Sequence, residues 1–328
     1  MKYKIAISGS TKNTVAMAKT IASDSRFEII FTLSPAPKLI GRKQIVTKNP
    51  LHVWSEEKEI KTFLIEKKIE KTLLSEFAKA GEIDFLLVVD FGYLIPKWLL
   101  KLPKIAPLNI HPSLLPKWRG SSPGQFCLLF QGLDENDGQS AVTLMIMNEG
   151  LDQGPIIAQI PFKLQKNWTQ TEYYQKAFSL ISEKLGDLIN DFAQGKILAK
   201  EQTAKVSTII AHRLNKEDSF ISWQNLEKLM GKNEEKISLP ISGSALLHDL
   251  LIDEEICQNK LDQIKLVSNA CRAFYPWPNL WTIVQTNKGE KRMKILACHL
   301  ENDQLILDEI QIEGKNSCSF NECKNALI

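Results

Sequence analysis

Several things are missing from this chain, and each absence excludes a class of protein. In 328 residues there is no run of eighteen apolar side chains, so no segment is expected to span a membrane. Met1-Lys2-Tyr3-Lys4-Ile5 leads straight into a strand pattern without an apolar leader region, so no secretory signal is expected. Cysteine is sparse: Cys127, Cys257, Cys271, Cys298, Cys318 and Cys323 are scattered without paired spacing. That predicts reduced thiols in a cytoplasmic protein and argues against a disulfide framework. Neither Cys298-His299 nor Cys318 with Cys323 has the spacing of a zinc site, and no metal is expected. The dinucleotide fingerprint is absent too, because Ser8-Gly9-Ser10-Thr11 does not supply three spaced glycines. A nicotinamide dehydrogenase is therefore disfavoured. No internal repeat and no low-complexity tract is present.

What remains is the composition of a globular protein, 44% hydrophobic and 24% charged, with a length that suits two domains. Lys4 to Ser10 reads as a buried strand ending in a glycine turn, Thr11 to Ala22 as a helix and Phe27 to Leu33 as a second strand. This β-α-β opening predicts an α/β fold with a doubly wound, mostly parallel sheet. Lys- and Glu-rich helical patterns fill residues 56–80, and Phe85 to Val89 is a central strand, apolar on both faces. Residues 170–193 read as one amphipathic helix stopped by Gly195. The expected organisation is a first domain over 1–195, a polar connector over 196–208 and a second domain over 209–328. In the latter, Trp281 to Val284, Lys294 to Leu296 and Leu305 to Leu307 alternate as strands of a small β-barrel.

Charge is unevenly spread. Residues 1–200 carry 26 basic and 20 acidic side chains, residues 201–328 carry 15 and 18, and the total is +3. Any surface for a polyanion therefore has to be a local patch on the first domain. One candidate is Ser34 to Gln44, a loop with two prolines and a glycine in which Lys38, Arg42 and Lys43 are cationic. Such a run also suits an ordinary solvated loop.

The richest segment is Leu108-Asn109-Ile110-His111-Pro112. Asn109 and His111 are two apart, so on an extended strand they point to one face. Pro107 and Pro112 bound that strand. Some forty residues on, Ala141 to Met147 reads as a buried strand running into Asn148-Glu149-Gly150-Leu151-Asp152-Gln153-Gly154-Pro155. Taken alone, Asp152 suits a turn aspartate and His111 a core histidine. Taken together, an amide, an imidazole and a carboxylate on two strand ends are what acyl-type transfer to an amine requires. The amide donates to the developing oxyanion, the imidazole titrates, and the carboxylate orients it or relays a proton.

These residues carry a resemblance. Asn109, His111 and Ser113-Leu114-Leu115-Pro116, followed by Trp118-Arg119-Gly120-Ser121-Ser122-Pro123, resemble the signature of the folate-dependent formyltransferases, and Leu151 to Pro155 resembles that family's aspartate loop. The likeness extends to Phe91-Gly92-Tyr93-Leu94-Ile95-Pro96 and to Arg272-Ala273-Phe274-Tyr275-Pro276-Trp277-Pro278, and within the family it is strongest to members that formylate methionyl-tRNA.

The resemblance implies a Rossmann-like catalytic domain, a C-terminal OB-like domain that binds tRNA, and 10-formyltetrahydrofolate as co-substrate without a metal. It implies initiator methionyl-tRNA as acceptor, a monomer, and no membrane partner. It assigns Asn109, His111 and Asp152 to catalysis. Phe91, Gly92, Tyr93, Leu94, Ile95, Ser113, Leu114, Leu115 and Pro116 would hold the pterin, and Lys38, Arg42 and Lys43 the tRNA. Two features depart from the family: the second domain is not basic, and residues 225–262 form an acidic insertion. Three other readings stay open: an amino-sugar nucleotide acceptor, glycinamide ribotide as acceptor, and a non-catalytic folate- or tRNA-binding protein. The second domain and the basic loop speak against glycinamide ribotide.

Overall fold

The computed structural model describes residues 2–40, 44–133, 138–202, 209–231 and 246–324. Arg42 and Lys43, residues 203–208 of the connector and most of the central part of the 225–262 insertion lie outside the described residues. The chain divides into two compact units. The first comprises Met1–Arg119, Ala141–Phe162 and Gln175–Ile209, the second Gly120–Ser140, Lys163–Tyr174 and Ile210–Ile328.

In chain order the first unit opens with β1 (Tyr3–Gly9), α1 (Lys12–Ser23), β2 (Phe27–Pro35), β3 (Lys38–Ile40), β4 (Ile45–Thr47), α2 (Pro50–Glu57) and β5 (Thr62–Ile65). It continues with α3 (Leu74–Ala80), β6 (Phe85–Val89), α4 (Lys97–Leu100) and β7 (Ala106–His111). After α5 (Pro123–Leu129) come β8 (Gln139–Ile146), β9 (Ile156–Lys163), α6 (Gln170–Ser182) and α7 (Leu185–Ala193).

Seven strands form one sheet in the order β5-β2-β1-β6-β7-β8-β9. The pairs from β5 through β7 are parallel, and β8 runs antiparallel to β7. This is the doubly wound, mostly parallel sheet that the β-α-β opening predicts. Its central strands are apolar on both faces because helices cover both. Gly9 ends β1 where no side chain fits: an added Cβ would lie 2.3 Å from both the Thr14 side chain and the Val89 carbonyl. Thr14 uses that closeness, its hydroxyl donating to the Val89 carbonyl at 2.8 Å. Thr11 caps α1 in a capping box, satisfying donors that would otherwise face the strand ends unpaired. On one side of the sheet Phe31, Phe63 and Phe77 form an aromatic cluster with centroid separations of 4.6 to 5.2 Å.

Three local expectations are corrected. The Ser34–Gln44 stretch is not wholly a loop, because β2 runs on to Pro35 and β3 pairs antiparallel with β4. Residues 56–80 are not all helical: the sheet's β5 lies among them, an edge strand too short for its alternation to stand out against the flanking charge. The helix expected over 170–193 is two, α6 and α7, broken at 183–184 although the apolar spacing carries across the break.

The second unit contains α5, α8 (Trp223–Met230), α9 (Leu246–Ile252) and α10 (Lys260–Ala273). They are followed by β10 (Leu280–Thr286), β11 (Gly289–Glu301), β12 (Gln304–Ile312), β13 (Cys318–Ser319) and α11 (Phe320–Cys323). The four strands form a separate antiparallel sheet in sequence order. Arg272 on α10 acts as a clamp within this unit. It donates to the Trp168 carbonyl at 2.8 Å, the Gln131 amide oxygen at 3.2 Å and the Asn269 amide oxygen at 2.6 Å. Burial pushes its guanidinium down from its ordinary value. One expectation about thiols is overturned here: Cys318 and Cys323 form a disulfide, because β13 turning into α11 brings their Cα atoms to 6.6 Å. Cys127, Cys257, Cys271 and Cys298 are not disulfide-bonded. No helix among the described residues is long and apolar enough to cross a membrane.

Candidate active site

β7 lies between β6 and β8, and both polar residues fall in the last three positions of the strand. Asn109 is aligned with Val88 of β6 and with Met145 of β8, and His111 with Thr143 of β8. Alternation then puts the Asn109 and His111 side chains on one face. Asn109 is half-buried, and its amide makes no hydrogen bond among the described residues. An amide donor left open beside a buried imidazole is available to a ligand.

His111 is buried, 4% exposed. Its Nε2 lies 3.0 Å from the Trp118 carbonyl. A carbonyl only accepts, so Nε2 carries a hydrogen and donates it, and Nδ1 is left as the nitrogen that gains or loses a proton. Nδ1 faces Asp152, with Oδ2 at 3.7 Å. That is beyond direct hydrogen-bond range but close enough for strong charge interaction at a poorly solvated site.

Asp152 is held there by its own loop. At Gly154 the chain folds back so tightly on β8 that an added Cβ would lie 1.9 Å from the Ile146 carbonyl. The Ile146 amide donates to the Pro155 carbonyl at 2.9 Å. Asp152 has φ of 50°, in the left-handed region that aspartate tolerates better than most residues. Gln202 secures the loop from behind, its Nε2 donating to the Asp152 carbonyl at 2.9 Å and to the Gly154 carbonyl at 2.8 Å. The oxygen of the same amide accepts from Arg119, at 3.2 Å from Nε and 2.6 Å from Nη2. Burial lowers the Arg119 pKa, and the Asp152 charge works against that shift. Arg119 was visible in the sequence as part of the Trp118-Arg119-Gly120 motif. Gln202 carried no signal, since it sits in a polar connector fifty residues from the loop it braces.

The loop after β7 is equally constrained. The Ser113 amide donates to the His111 carbonyl at 2.9 Å, and its hydroxyl donates to the Lys117 carbonyl at 2.7 Å. Thr143 donates to the Ser113 carbonyl at 2.7 Å. Gln159 donates to the Leu115 carbonyl at 2.9 Å and to the Thr143 hydroxyl at 3.1 Å. Ser113 and Leu115 are therefore buried supports, and Leu114 and Pro116 are half-buried.

In the 91–96 segment the residues divide. Ile95 belongs to the core, Phe91 and Tyr93 pack half-buried against it, and Gly92 and Leu94 are exposed, Leu94 by 88%. Of the cationic loop residues, Lys38 is described: its ammonium lies 5.6 Å from the Tyr93 ring centroid, a cation–π contact. The basic loop and the aromatic segment, separate in sequence, thus meet at this residue pair. Among the described residues no group of three or more His, Cys, Asp or Glu side chains is placed to hold a metal.

Sequence reasoning also missed Asp90, which follows β6. Its Oδ2 accepts from the Thr11 hydroxyl at 2.8 Å and from the Asn13 amide at 2.9 Å, and its backbone carbonyl accepts from the Ser10 hydroxyl at 3.1 Å. Burial raises its carboxyl pKa.

Residues 1–185 match the family model described as formyl transferase. The chain belongs to the formyl transferase family. A methionyl-tRNA formyltransferase from Ehrlichia chaffeensis is 28% identical over 322 residues, covering 97% of this chain and 95% of that protein. One from Wolbachia pipientis subsp. Culex pipiens is 34% identical over 167 residues, 50% of this chain and 53% of that protein. The chain thus matches about half the length of that relative. Among solved structures, a methionyl-tRNA formyltransferase from Clostridium thermocellum superposes with a TM-score of 0.52 at 16% identity, over 94% of this chain and 98% of that one. At that identity the likeness establishes a shared fold.

Proposed function

We propose that this protein transfers the formyl group of 10-formyltetrahydrofolate to the amino group of initiator methionyl-tRNA, in the cytoplasm. The observation that carries the reading is the open Asn109 amide beside the His111–Asp152 pair at the ends of β7 and β8. The match to the Ehrlichia chaffeensis protein along nearly the whole chain supports methionyl-tRNA as the acceptor.

In this reading Asn109 donates its amide hydrogen to the oxygen of the formyl group as that oxygen becomes negative. The backbone that carries this amide is held between β6 and β8, so the donor starts close to where the charge develops. His111, with Nε2 committed to the Trp118 carbonyl, accepts and returns a proton at Nδ1. Asp152 faces that nitrogen and favours its charged form. Phe91, Tyr93 and Leu94, with the Ser113–Pro116 loop, present apolar surface and backbone polar groups of the kind a pterin needs. Lys38 would contact the acceptor end of the tRNA, and Arg42 and Lys43 add positive charge to the same stretch of sequence. Formylation of charged tRNA, measured beside an amino-sugar nucleotide as competing acceptor, tests the proposal.

A further inference from the structure

An ion pair joins the two elements that flank the candidate site. Lys97 begins α4, immediately after the 91–96 segment, and Glu149 lies in the loop that leads from β8 to Asp152. Lys97 Nζ is 2.6 Å from Glu149 Oε1. In the order β6-β7-β8 these elements follow the strands on either side of β7, so the pair bridges across β7. Register fixes the face. Val88 of β6 shares a core cluster with Ile95 and Leu99, and Met147 packs against that cluster. Asn109 is aligned with Val88, so its side chain lies on the same face. Along β7, the Met147 amide donates to the Pro107 carbonyl at 2.8 Å, and Asp152 faces His111. Glu149 falls between those two levels in the chain, as Asn109 does in β7.

The two side chains are 62% and 63% exposed, and an exposed pair contributes little to folding stability. Each element also has an anchor of its own. The Tyr93 hydroxyl donates to the Glu66 carbonyl at 2.9 Å on one side, and Gln202 donates to the Asp152 and Gly154 carbonyls on the other. The fold does not depend on the pair, yet the pair closes the gap between the two elements over the face that presents Asn109. We propose that Lys97 and Glu149 form a strap across the folate slot, closed over it both empty and filled, which opens each time the co-substrate enters or leaves. This rests on the reading of the 91–96 segment as part of the folate site. A flat pterin that reaches Asn109 from solvent passes between the two elements, and the ion pair stands in its way. An exposed ionic contact suits that task, because it opens at little cost and re-forms without repacking a core. A strap of this kind slows entry and exit by a similar factor and leaves the equilibrium nearly unchanged, whereas a contact to the ligand itself slows exit.

The test is stopped-flow tryptophan fluorescence with 5-formyltetrahydrofolate as the ligand. It compares the parent, Glu149→Gln, Lys97→Met and the exchanged pair, Lys97→Glu with Glu149→Lys. Each single variant is expected to bind and to release the ligand about two- to fivefold faster, the range an exposed ion pair supports, with Kd nearly unchanged. The two single variants shift the local charge in opposite directions, so an acceleration shared by both cannot come from steering of the anionic ligand. The exchanged pair rebuilds the contact and is expected to return both rates toward those of the parent. Glu149→Gln is isosteric at an exposed position, so the measurement does not depend on Lys97→Met folding. Faster release alone, with weaker binding, would overturn the proposal and make the pair a contact of the ligand. Parent rates in both single variants would overturn it as well. A parent that does not bind the ligand would defeat the folate reading and the strap with it, whereas unchanged rates beside a parent that binds defeat the strap alone.

Discussion

Gln202 holds Asp152 by its main chain, the Nε2 group donating to the Asp152 carbonyl at 2.9 Å while the other end of the same amide accepts from Arg119. The carboxylate that faces His111 is therefore aimed by a residue that bonds the main chain of its loop. Gln202→Leu should leave the buried Arg119 without its acceptor and two loop carbonyls without their donor, a loss of about 1–3 kcal/mol in stability. Turnover should fall more than substrate affinity, because the loop that aims Asp152 loosens. Gln202→Glu would restore an acceptor for Arg119 without restoring the donor. Melting curves should therefore show partial rescue of stability while the kinetics stay impaired.

The three central residues make distinct predictions. Asn109→Ala removes a fixed oxyanion donor and should lower kcat by about 10²–10³, with a small change in folate affinity. His111→Ala and Asp152→Asn should also lower turnover by orders of magnitude while the protein stays folded. If Asp152 served only its turn, Asp152→Asn would keep both turn and rate, since asparagine tolerates the same backbone conformation. Steady-state kinetics beside a folate-binding measurement separates the two outcomes.

Asp90 makes stability depend on pH. Its folded-state pKa is raised by burial, so the unfolded chain releases this proton at lower pH than the folded one. Folding stability attributable to this group is then greatest below the ordinary carboxylate range and declines as pH rises from there through the raised value. Asp90→Asn removes that decline. Denaturant titrations should find it at least as stable as the parent at neutral pH.

Core packing is tested at Phe77, fully buried and stacked on Phe31 with centroids 5.0 Å apart. Phe77→Ala should cost about 3–5 kcal/mol, read from a shift in the denaturation midpoint at constant slope.

The reach of the sequence follows physical lines. β7 was legible because polar residues at period two interrupt an apolar run bounded by prolines, which marked Asn109 and His111; β8 was legible as an apolar, β-branched run, and Asp152, in the turn after it, stood out only in combination with those two. β5 was hidden because Thr62–Ile65 is a four-residue edge strand between lysines and glutamates. The α6–α7 break was hidden because the apolar spacing continues through it. Gln202 and Asp90 escaped for a related reason: each is tied by hydrogen bonds across long sequence separations, which no local periodicity reports. The Cys318–Cys323 disulfide depends on a turn whose geometry five residues of sequence do not specify.

The cationic loop has its own signature. If Arg42 contacts a tRNA phosphate, Arg42→Ala should weaken tRNA use, leave folate affinity unchanged and flatten the log–log salt dependence by about 0.7–0.9. A contact to a base or to the aminoacyl group would cost affinity without changing that slope. The acidic balance of residues 201–328 predicts a shallower overall salt dependence than two basic domains would give. Kinetics untouched by Arg42→Ala at every salt concentration would return the loop to an ordinary solvated turn.

The central claim is tested most directly by incubating the purified protein with 10-formyltetrahydrofolate and charged initiator methionyl-tRNA, then separating formylated from unformylated aminoacyl-tRNA on an acid gel. An amino-sugar nucleotide is offered as acceptor in a parallel reaction. The account predicts a formyl-dependent shift of the methionyl-tRNA band that His111→Ala abolishes, with no product from the sugar. Formylation of the sugar alone would contradict the choice of acceptor, and formylation of neither would contradict the assignment of transfer to methionyl-tRNA altogether.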